Sequence, residues 1–139
     1  MTMKTLILFD IDGTLVRGGP AKGAFLTAML ETYGTAGAIE THEFSGKTDP
    51  QIARELLTEV GMEDAVVDAG LPKLWDRYIG ELGTRICDNP MRLLPGVAAL
   101  LDALDTQRDV AMGLVTGNII RGARVKLGSV GLAERFDVG

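Results

Sequence analysis

The chain has 139 residues, of which 46% are hydrophobic and 24% are charged, and its formal net charge is −5. This length suits one domain, or one domain that carries a small inserted subdomain. The acidic balance argues against a nucleic-acid-binding protein, which usually shows a basic stripe. An anionic substrate must therefore be held by a local arrangement of side chains, because the mean field does not attract it.

Cysteine content and hydropathy bear on the compartment. Cys87 is the only cysteine, so an internal disulfide is excluded, and we expect a small buried side chain rather than a catalytic thiol. The sequence starts without the apolar core of a signal peptide, and no apolar run approaches the roughly 20 residues of a membrane span. We therefore expect a cytoplasmic protein outside the membrane, of unknown oligomeric state.

Two short apolar runs predict buried strands of a parallel sheet. Residues 6–9 lead into Asp10, and residues 110–115 lead into Thr116. Such runs, without alternation and closed by polar residues and glycine, are typical of strands covered on both faces. Helical patterns lie between and after them, so the predicted class is α/β. Residues 136–139 look like the start of a third strand.

Four helices are predicted from apolar residues at helical spacing. The first begins at Pro20. The second has Asp49 as its N-cap, a proline at its first position and a stop at Gly61. The third continues after Pro72, and the fourth follows the turn at residues 94–96.

The two predicted strands are separated by about a hundred residues, far more than a single crossover helix needs. We therefore interpret residues 18–91 as a helical subdomain inserted into an α/β core of residues 1–17 and 92–139. The pair Gly18-Gly19 is a candidate hinge between the two parts.

Two aspartates, Asp10 and Asp12, follow the first strand directly. Ligands of open α/β sheets bind beyond the carboxyl ends of the strands, so both carboxylates are expected at the edge of a site. Two acids so close repel each other unless a cation or a proton separates them, and Mg²⁺ pairs carboxylates with a substrate phosphate. Gly13 permits a tight turn here. The alternative is an ordinary Asp-Gly turn in which Asp12 caps the next segment.

Residues 9–15, Phe-Asp-Ile-Asp-Gly-Thr-Leu, resemble the nucleophile motif of haloacid dehalogenase-like hydrolases. The resemblance implies that Asp10 attacks phosphorus and forms an aspartyl-phosphate. It implies that Asp12 protonates the leaving oxygen and then activates water. It also implies that Mg²⁺ is bound by Asp10 and by the main-chain carbonyl of Asp12. Members that dehalogenate carbon lack an acid at the second position, so Asp12 favours phosphoryl chemistry.

The end of the second strand resembles the phosphate-binding turn of the same family. It reads Thr116, Gly117, Asn118. In the family the threonine hydroxyl and neighbouring N–H groups hold the phosphoryl oxygens, and Gly13 belongs to the same substrate-binding surface. A polar turn that opens a helix is a ready anion site. Taken alone, the three residues also suit an ordinary turn with a helix cap.

The family also has a lysine that neutralises charge between nucleophile and phosphate. Lys126 is the candidate, with Arg121 and Arg124 as weaker ones, and a solvated helix face is the alternative. The remaining acidic metal ligands of the family follow a further strand, and Asp137 lies too near the start of that strand for the role. We therefore expect a fragment of a longer enzyme, incomplete at its C-terminus, rather than a naturally short relative.

Residues 18–91 resemble the helical cap of the phosphoglycolate phosphatase-like and phosphoglucomutase-like branches. Such a cap closes over the substrate and excludes water. Residues 44–49 resemble the specificity loop of the cap, where Lys47 could contact an anionic group; an exposed lysine on a capped turn is the alternative. Trp75 and Tyr78 are expected to pack inside the cap. His42, the single histidine, is too little for a Ser/His or zinc site.

These features predict a Mg²⁺-dependent phosphohydrolase acting on a small phosphorylated metabolite. One alternative is a phosphosugar mutase, which uses the same two aspartates but must keep water from the aspartyl-phosphate. Another is a non-catalytic binding module, which the missing acidic ligands suggest. A dinucleotide-binding domain is disfavoured because no Gly-x-Gly-x-x-Gly follows the first strand.

Overall fold

The computed structural model describes residues 4–136. Its elements follow in chain order: β1 (Thr5–Phe9), β2 (Val16–Gly18), α1 (Ala21–Tyr33), α2 (Asp49–Glu59), α3 (Asp64–Arg85), β3 (Met91–Leu93), α4 (Val97–Asp105), β4 (Val110–Leu114) and α5 (Ile120–Ser129). The predicted α/β class is confirmed. Within the described part of the chain, the helices are too short or too polar to cross a bilayer.

The two predicted strands form a parallel pair. β1 lies beside β4 in a register that runs from Thr5 opposite Val110 to Phe9 opposite Leu114. The N–H of Val115 extends this ladder by donating to the Phe9 carbonyl at 2.8 Å. The chain therefore leaves both strands side by side at one edge of the sheet. The third strand predicted for residues 136–139 falls almost wholly outside the described residues.

A second, antiparallel pair joins β2 to β3, with Val16 opposite Leu93 and Gly18 opposite Met91. Sequence analysis did not predict either strand, because three residues are too few to show a period. β2 precedes α1 and β3 follows α3. The helical segment, defined here as α1, α2 and α3 with their connections, is therefore entered and left at neighbouring positions.

Apolar side chains pack into two clusters. The first belongs to the helical segment and includes the buried residues Ala24, Phe25, Ala28, Met29, Leu56, Leu57, Val67, Leu74, Tyr78 and Leu82. The second lies around β1, β4, α4 and α5 and includes the buried residues Phe9, Ile11, Leu15, Val16, Val97, Leu101, Met112, Ala123, Leu127 and Leu132. α5 touches both clusters, since Ile119 and Val125 pack against the first while Ala123 and Leu127 belong to the second.

Two sequence predictions about the helical segment are corrected. α3 begins at Asp64 and continues through Pro72, although proline removes one hydrogen bond from a helix interior. The buried positions on either side of it, among them Val67 and Leu74, keep the helix packed. Cys87 is exposed rather than buried, because it follows the last residue of α3 in a turn.

The N-cap of α2 is Thr48 rather than Asp49. The Thr48 hydroxyl accepts a hydrogen bond from the Gln51 N–H at 3.2 Å, as the N-cap role requires. Asp49 is the first residue of the helix, and Pro50 follows within its first turn. The carboxylate of Asp49 therefore has no local capping role, and it points to another element.

Candidate active site

The ends of β1 and β4 bring together the polar residues that follow them. The side-chain amide of Asn118 donates to the Asp12 carboxylate at 2.8 Å and to the Thr116 hydroxyl at 2.7 Å. The Thr116 hydroxyl also accepts from the Asn118 main-chain N–H at 3.1 Å. Residues more than a hundred positions apart in the sequence are thus joined in one hydrogen-bonded group.

α5 adds a cation to this group. The ammonium of Lys126 lies 3.0 Å from both carboxylate oxygens of Asp12. The Lys126 side chain is only 5% exposed, whereas that of Asp12 is 51% exposed. The alternative of a solvated helix face is therefore wrong for Lys126, and it suits the exposed Arg124 instead. A buried lysine needs a partner of opposite charge, and Asp12 supplies it.

The turn after β1 exposes the side chains of Asp10 and Asp12 and buries the side chain between them. Ile11 between them is fully buried, whereas both aspartates are exposed. The Asp10 carboxylate accepts from the Ile11 N–H at 2.8 Å. Gly13 has a φ of +79°, and its N–H donates to the Val16 carbonyl at 2.8 Å. Because L side chains rarely adopt this φ, the turn requires glycine there.

The oxygen donors of this turn fit Mg²⁺ in part. The Asp12 carboxylate is held by Lys126 and Asn118, so the donors for a cation are the Asp10 carboxylate and the main-chain carbonyl of Asp12. Mg²⁺ commonly binds through one or two protein oxygens and completes its shell with phosphate and water. Between residues 4 and 136, no group of three His, Cys, Asp or Glu side chains forms a ready metal cage.

Two of the predicted basic residues are paired elsewhere. The Lys47 ammonium lies 3.0 Å from Glu55, whose carboxylate is also 3.4 Å from the His42 ring. The hydrogen bond from Lys47 lowers the pKa of Glu55. Arg121 forms an ion pair with Asp76 at 2.7 Å. The Lys47 ammonium is therefore bound within the helical segment, while its main chain lies against Gly117.

The segment around Lys47 packs directly on the turn of residues 116–118. The Asp49 N–H donates to the Gly117 carbonyl at 2.8 Å, and the Asp49 carboxylate accepts from the Ile119 N–H at 2.9 Å. A Cβ placed on Gly117 would lie 2.2 Å from the Lys47 carbonyl oxygen, so the approach is possible only for glycine. The sequence pattern did not indicate this contact. The signal that could have indicated it is the presence of two capping residues, Thr48 and Asp49, at the start of a helix that needs only one, which leaves the second free to cap another helix.

Burial raises the pKa of the Asp49 carboxyl, and this effect exceeds the lowering by the Ile119 N–H and by Lys126. The negative charge of Asp12 acts in the same direction as burial. Burial is also the first cause of the raised pKa of Tyr78, to which Asp49 and Asp12 add. Asp49 is thus a carboxylate in an environment that favours its neutral form.

This pKa shift predicts how the stability of an Asp49→Asn variant depends on pH. A carboxyl whose pKa is raised on folding stabilises the fold below its ordinary pKa, and that contribution is lost as pH rises through the raised value. Asparagine keeps an oxygen acceptor for Ile119 without the cost of a buried charge. We expect the variant to have a Tm at least equal to wild type at pH 7, with any advantage shrinking as pH falls to 4. Calorimetry checks this, and a clearly lower Tm at pH 7 would contradict it.

A cavity of about 410 Å³ opens beside Thr116 and Asn118, which belong to the hydrogen-bonded group around Asp12. Pro50 and Trp75 line it from the helical segment, and Thr116 and Ile120 line it from the β4–α5 connection. Trp75 is partly buried and also packs against the first cluster, as expected. The walls of the cavity therefore come from both the helical segment and the β4–α5 connection.

Comparisons with known proteins identify the family of the chain. The family model described as haloacid dehalogenase-like hydrolase matches residues 7–138. A phosphoglycolate phosphatase from Rhodobacter capsulatus is 30% identical over 140 residues, a match that covers 98% of this chain and 61% of that protein. The chain thus spans about three fifths of the length of this relative.

Solved structures show the same fold at lower identity. A hydrolase from Pseudomonas syringae superposes with a TM-score of 0.66 at 20% identity, over 98% of this chain and 60% of that one. A predicted phosphoglycolate phosphatase from Haemophilus somnus gives 0.59 at 20% identity, over 99% and 62%. CbbY from Rhodobacter sphaeroides, solved in complex with phosphate, gives 0.56 at 22% identity, over 98% and 62%. With its family model matched from residue 7 to residue 138, this chain belongs to the haloacid dehalogenase-like hydrolases.

Proposed function

We propose that the protein is a Mg²⁺-dependent phosphatase that acts on a small phosphorylated metabolite through an aspartyl-phosphate at Asp10. The observation that carries the proposal is one hydrogen-bonded group. In it the Asp12 carboxylate accepts from Lys126 and Asn118, and the Asn118 amide also donates to the Thr116 hydroxyl. This group supplies a carboxylate with a fixed orientation, a cation and a hydroxyl at one edge of a parallel sheet, and the exposed carboxylate of Asp10 lies two residues before Asp12. Phosphoryl transfer needs this combination for attack, proton transfer and charge stabilisation.

In the first step an Asp10 oxygen attacks phosphorus and the bond from phosphorus to the ester oxygen breaks. The leaving oxygen receives a proton from the Asp12 carboxyl, so the alcohol departs neutral. The Thr116 hydroxyl and the Gly117 N–H bind the phosphoryl oxygens, since the N–H groups of Asn118 and Ile119 donate to Thr116 and Asp49. Lys126 stabilises their negative charge. Mg²⁺, when bound by Asp10 and the Asp12 carbonyl, supplies further neutralisation of the charge between nucleophile and phosphate.

In the second step the Asp12 carboxylate accepts a proton from a water molecule. The water oxygen attacks the phosphorus of the aspartyl-phosphate, and the bond to Asp10 breaks. Inorganic phosphate leaves, and Asp10 is again a carboxylate. Asp12 thus serves as the acid in the first step and as the base in the second, while Lys126 and Asn118 hold its carboxylate in one orientation.

We further propose that the helical segment acts as a cap over this site. Its residues 47–49 contact the 116–118 turn, and its residues Pro50 and Trp75 face the cavity beside Thr116. A cap in this position excludes bulk water from a reacting phosphate and selects the organic group of the substrate.

The test is steady-state phosphate release from a panel of small phosphate esters by the full-length protein, with Mg²⁺ titrated. The panel includes sugar phosphates and 2-phosphoglycolate, the latter because a 30% identical relative bears the name phosphoglycolate phosphatase. We expect release that requires Mg²⁺ and is lost with EDTA. Isomerisation of a sugar phosphate without net phosphate release would identify a mutase and overturn the proposal. Binding of Mg²⁺ and phosphate with no turnover of any ester would identify a binding module.

A further inference from the structure

The contact between the helical segment and the 116–118 turn depends on one carboxylate. Asp49 belongs to α2, yet its Oδ2 accepts the N–H of Ile119, which immediately precedes α5. The first N–H groups of a helix have no partner inside that helix. Ile119 itself has no side chain that could cap α5, and Asp49 takes over this task from a different element of the fold.

The second half of the contact is made by the main chain. The Asp49 N–H donates to the Gly117 carbonyl at 2.8 Å, and a Cβ on Gly117 would lie 3.1 Å from the Thr48 Cα and closer still to the Lys47 carbonyl. The two backbones therefore meet at van der Waals distance on one side of the turn. We name the interactions among Asp49, Gly117 and Ile119 the cap–turn contact.

α5 connects this contact to the candidate catalytic group. The Ile119 N–H before its first turn donates to Asp49. At Gly122 the helix packs against Tyr78 so closely that an added Cβ would lie 3.7 Å from the Tyr78 ring. One turn later, Lys126 binds Asp12. Because a helix is stiff over two turns, the position of the N-terminus of α5 influences the position of the Lys126 Cα. The place of the helical segment and the geometry of the Lys126–Asp12 pair are thus linked through one short helix.

We propose that Asp49 is a positioning residue that holds the helical segment closed on the 116–118 turn by capping α5. Its effect on turnover rests on the proposed phosphatase function, whereas its effect on closure does not. Asp49 touches neither Asp10 nor Asp12 through a hydrogen bond in the described structure, so it acts through Ile119 and Gly117. The sequence Thr48-Asp49 then has two separate uses: Thr48 caps its own helix α2, and Asp49 caps α5.

Hydrogen exchange at the Ile119 amide tests closure directly, because opening of the cap–turn contact removes the Asp49 acceptor. In Asp49→Ala we expect exchange at Ile119 to be faster by about tenfold or more, the factor for a lost hydrogen bond to a charged acceptor. Asp49→Asn retains an acceptor oxygen, so it should restore protection to within about threefold of wild type. Gly117→Ala should match Asp49→Ala, because the new Cβ separates the two backbones while Asp49 itself is intact.

The matched control is Thr48→Ala, which removes the cap of α2 and leaves Asp49 in place. It should speed exchange at Gln51, whose N–H binds Thr48, and leave Ile119 unchanged. Equal exchange at Ile119 in wild type and Asp49→Ala would overturn the proposal, and so would faster exchange at Ile119 in the control. Gly117→Ala keeps the test decisive if Asp49→Ala does not fold.

Kinetics give the second measurement. Loss of closure lowers the population of the binding-competent state, so KM for a small phosphate ester should rise by about tenfold in Asp49→Ala. We expect kcat to change by less than about threefold once the substrate is saturating, and Asp49→Asn to recover KM. A fall in kcat with unchanged KM would show a role in the chemical step and overturn the positioning role. Absence of turnover in wild type would refute the phosphatase proposal, while the exchange result at Ile119 would still decide this one.

Discussion

Replacement of Asp10 by asparagine is expected to reduce phosphate release by about 10³-fold or more, because an amide cannot replace a carboxylate nucleophile. The change conserves the size of the side chain. It also conserves the oxygen that accepts the Ile11 N–H at 2.8 Å, so the turn after β1 keeps its local hydrogen bond. Asp10 is exposed, and its substitution leaves no buried polar group without a partner.

The measurement is phosphate release at saturating Mg²⁺ together with transfer of labelled phosphate from substrate to protein. Wild type should acquire acid-stable label at Asp10, and Asp10→Asn should acquire none. Asp64→Asn is the matched control, since it removes one carboxylate from an exposed ion pair with Arg54 on the helical segment. The control should retain full activity. Retention of a tenth of wild-type activity by Asp10→Asn would remove Asp10 from the nucleophile role.

Replacement of Asp12 by asparagine is expected to slow both halves of the reaction by about 10²–10⁴-fold, the usual contribution of general acid–base catalysis. The loss should depend on the leaving group. The alkoxide of an alkyl phosphate needs a proton to depart, whereas the nitrophenolate of nitrophenyl phosphate departs readily without one. We therefore expect a much larger loss in kcat/KM for alkyl phosphates, and a loss of kcat for both substrates, because hydrolysis of the intermediate still requires a base.

The fold should survive this substitution. Asparagine at position 12 still offers an oxygen to Lys126, but the lysine side chain is only 5% exposed and loses its charged partner, so we expect the variant to fold with a lower Tm. The Asn118 amide donates to Asp12 in wild type, and it can reverse its orientation to accept from asparagine instead. Circular dichroism and Tm verify folding. A loss below tenfold for alkyl phosphates at saturating Mg²⁺ would make Asp12 a structural residue only.

Local pattern was sufficient to predict the parallel strands and the residues that follow them. Phe9 and Leu114 end apolar runs, and the carboxyl ends of neighbouring parallel strands share one edge of a sheet. The proximity of Asp12 to Thr116 and Asn118 then follows from topology. Lys126 could be chosen as a candidate, but its partner could not, because that depends on how α5 packs between the two clusters.

Contacts between the helical segment and the sheet could not be predicted from the sequence. Asp49 and Ile119 are 70 residues apart, and the pattern around Asp49 suggested an N-cap, which is a local role. Both Thr48 and Asp49 are good capping residues, and only the docked position of the second helix decides which of them caps it. Similarly, the apolar pattern predicted the third helix around and after Pro72 but not its first turns from Asp64. Proline disfavours a helix interior, yet burial of Val67 and Leu74 outweighs that preference.

The register of the parallel pair has a consequence for synthesis on the ribosome. Thr5 pairs with Val110, so β1 is translated about a hundred residues before its partner. At roughly 5–20 residues per second, the nascent β1 waits on the order of 5–20 s for β4. During that interval its apolar residues have no sheet to join, whereas the helical segment can fold from contiguous residues. Even in the folded structure Leu6 and Leu8 remain 45% and 50% exposed. β1 is therefore open to non-native association during translation for longer than the helical segment is.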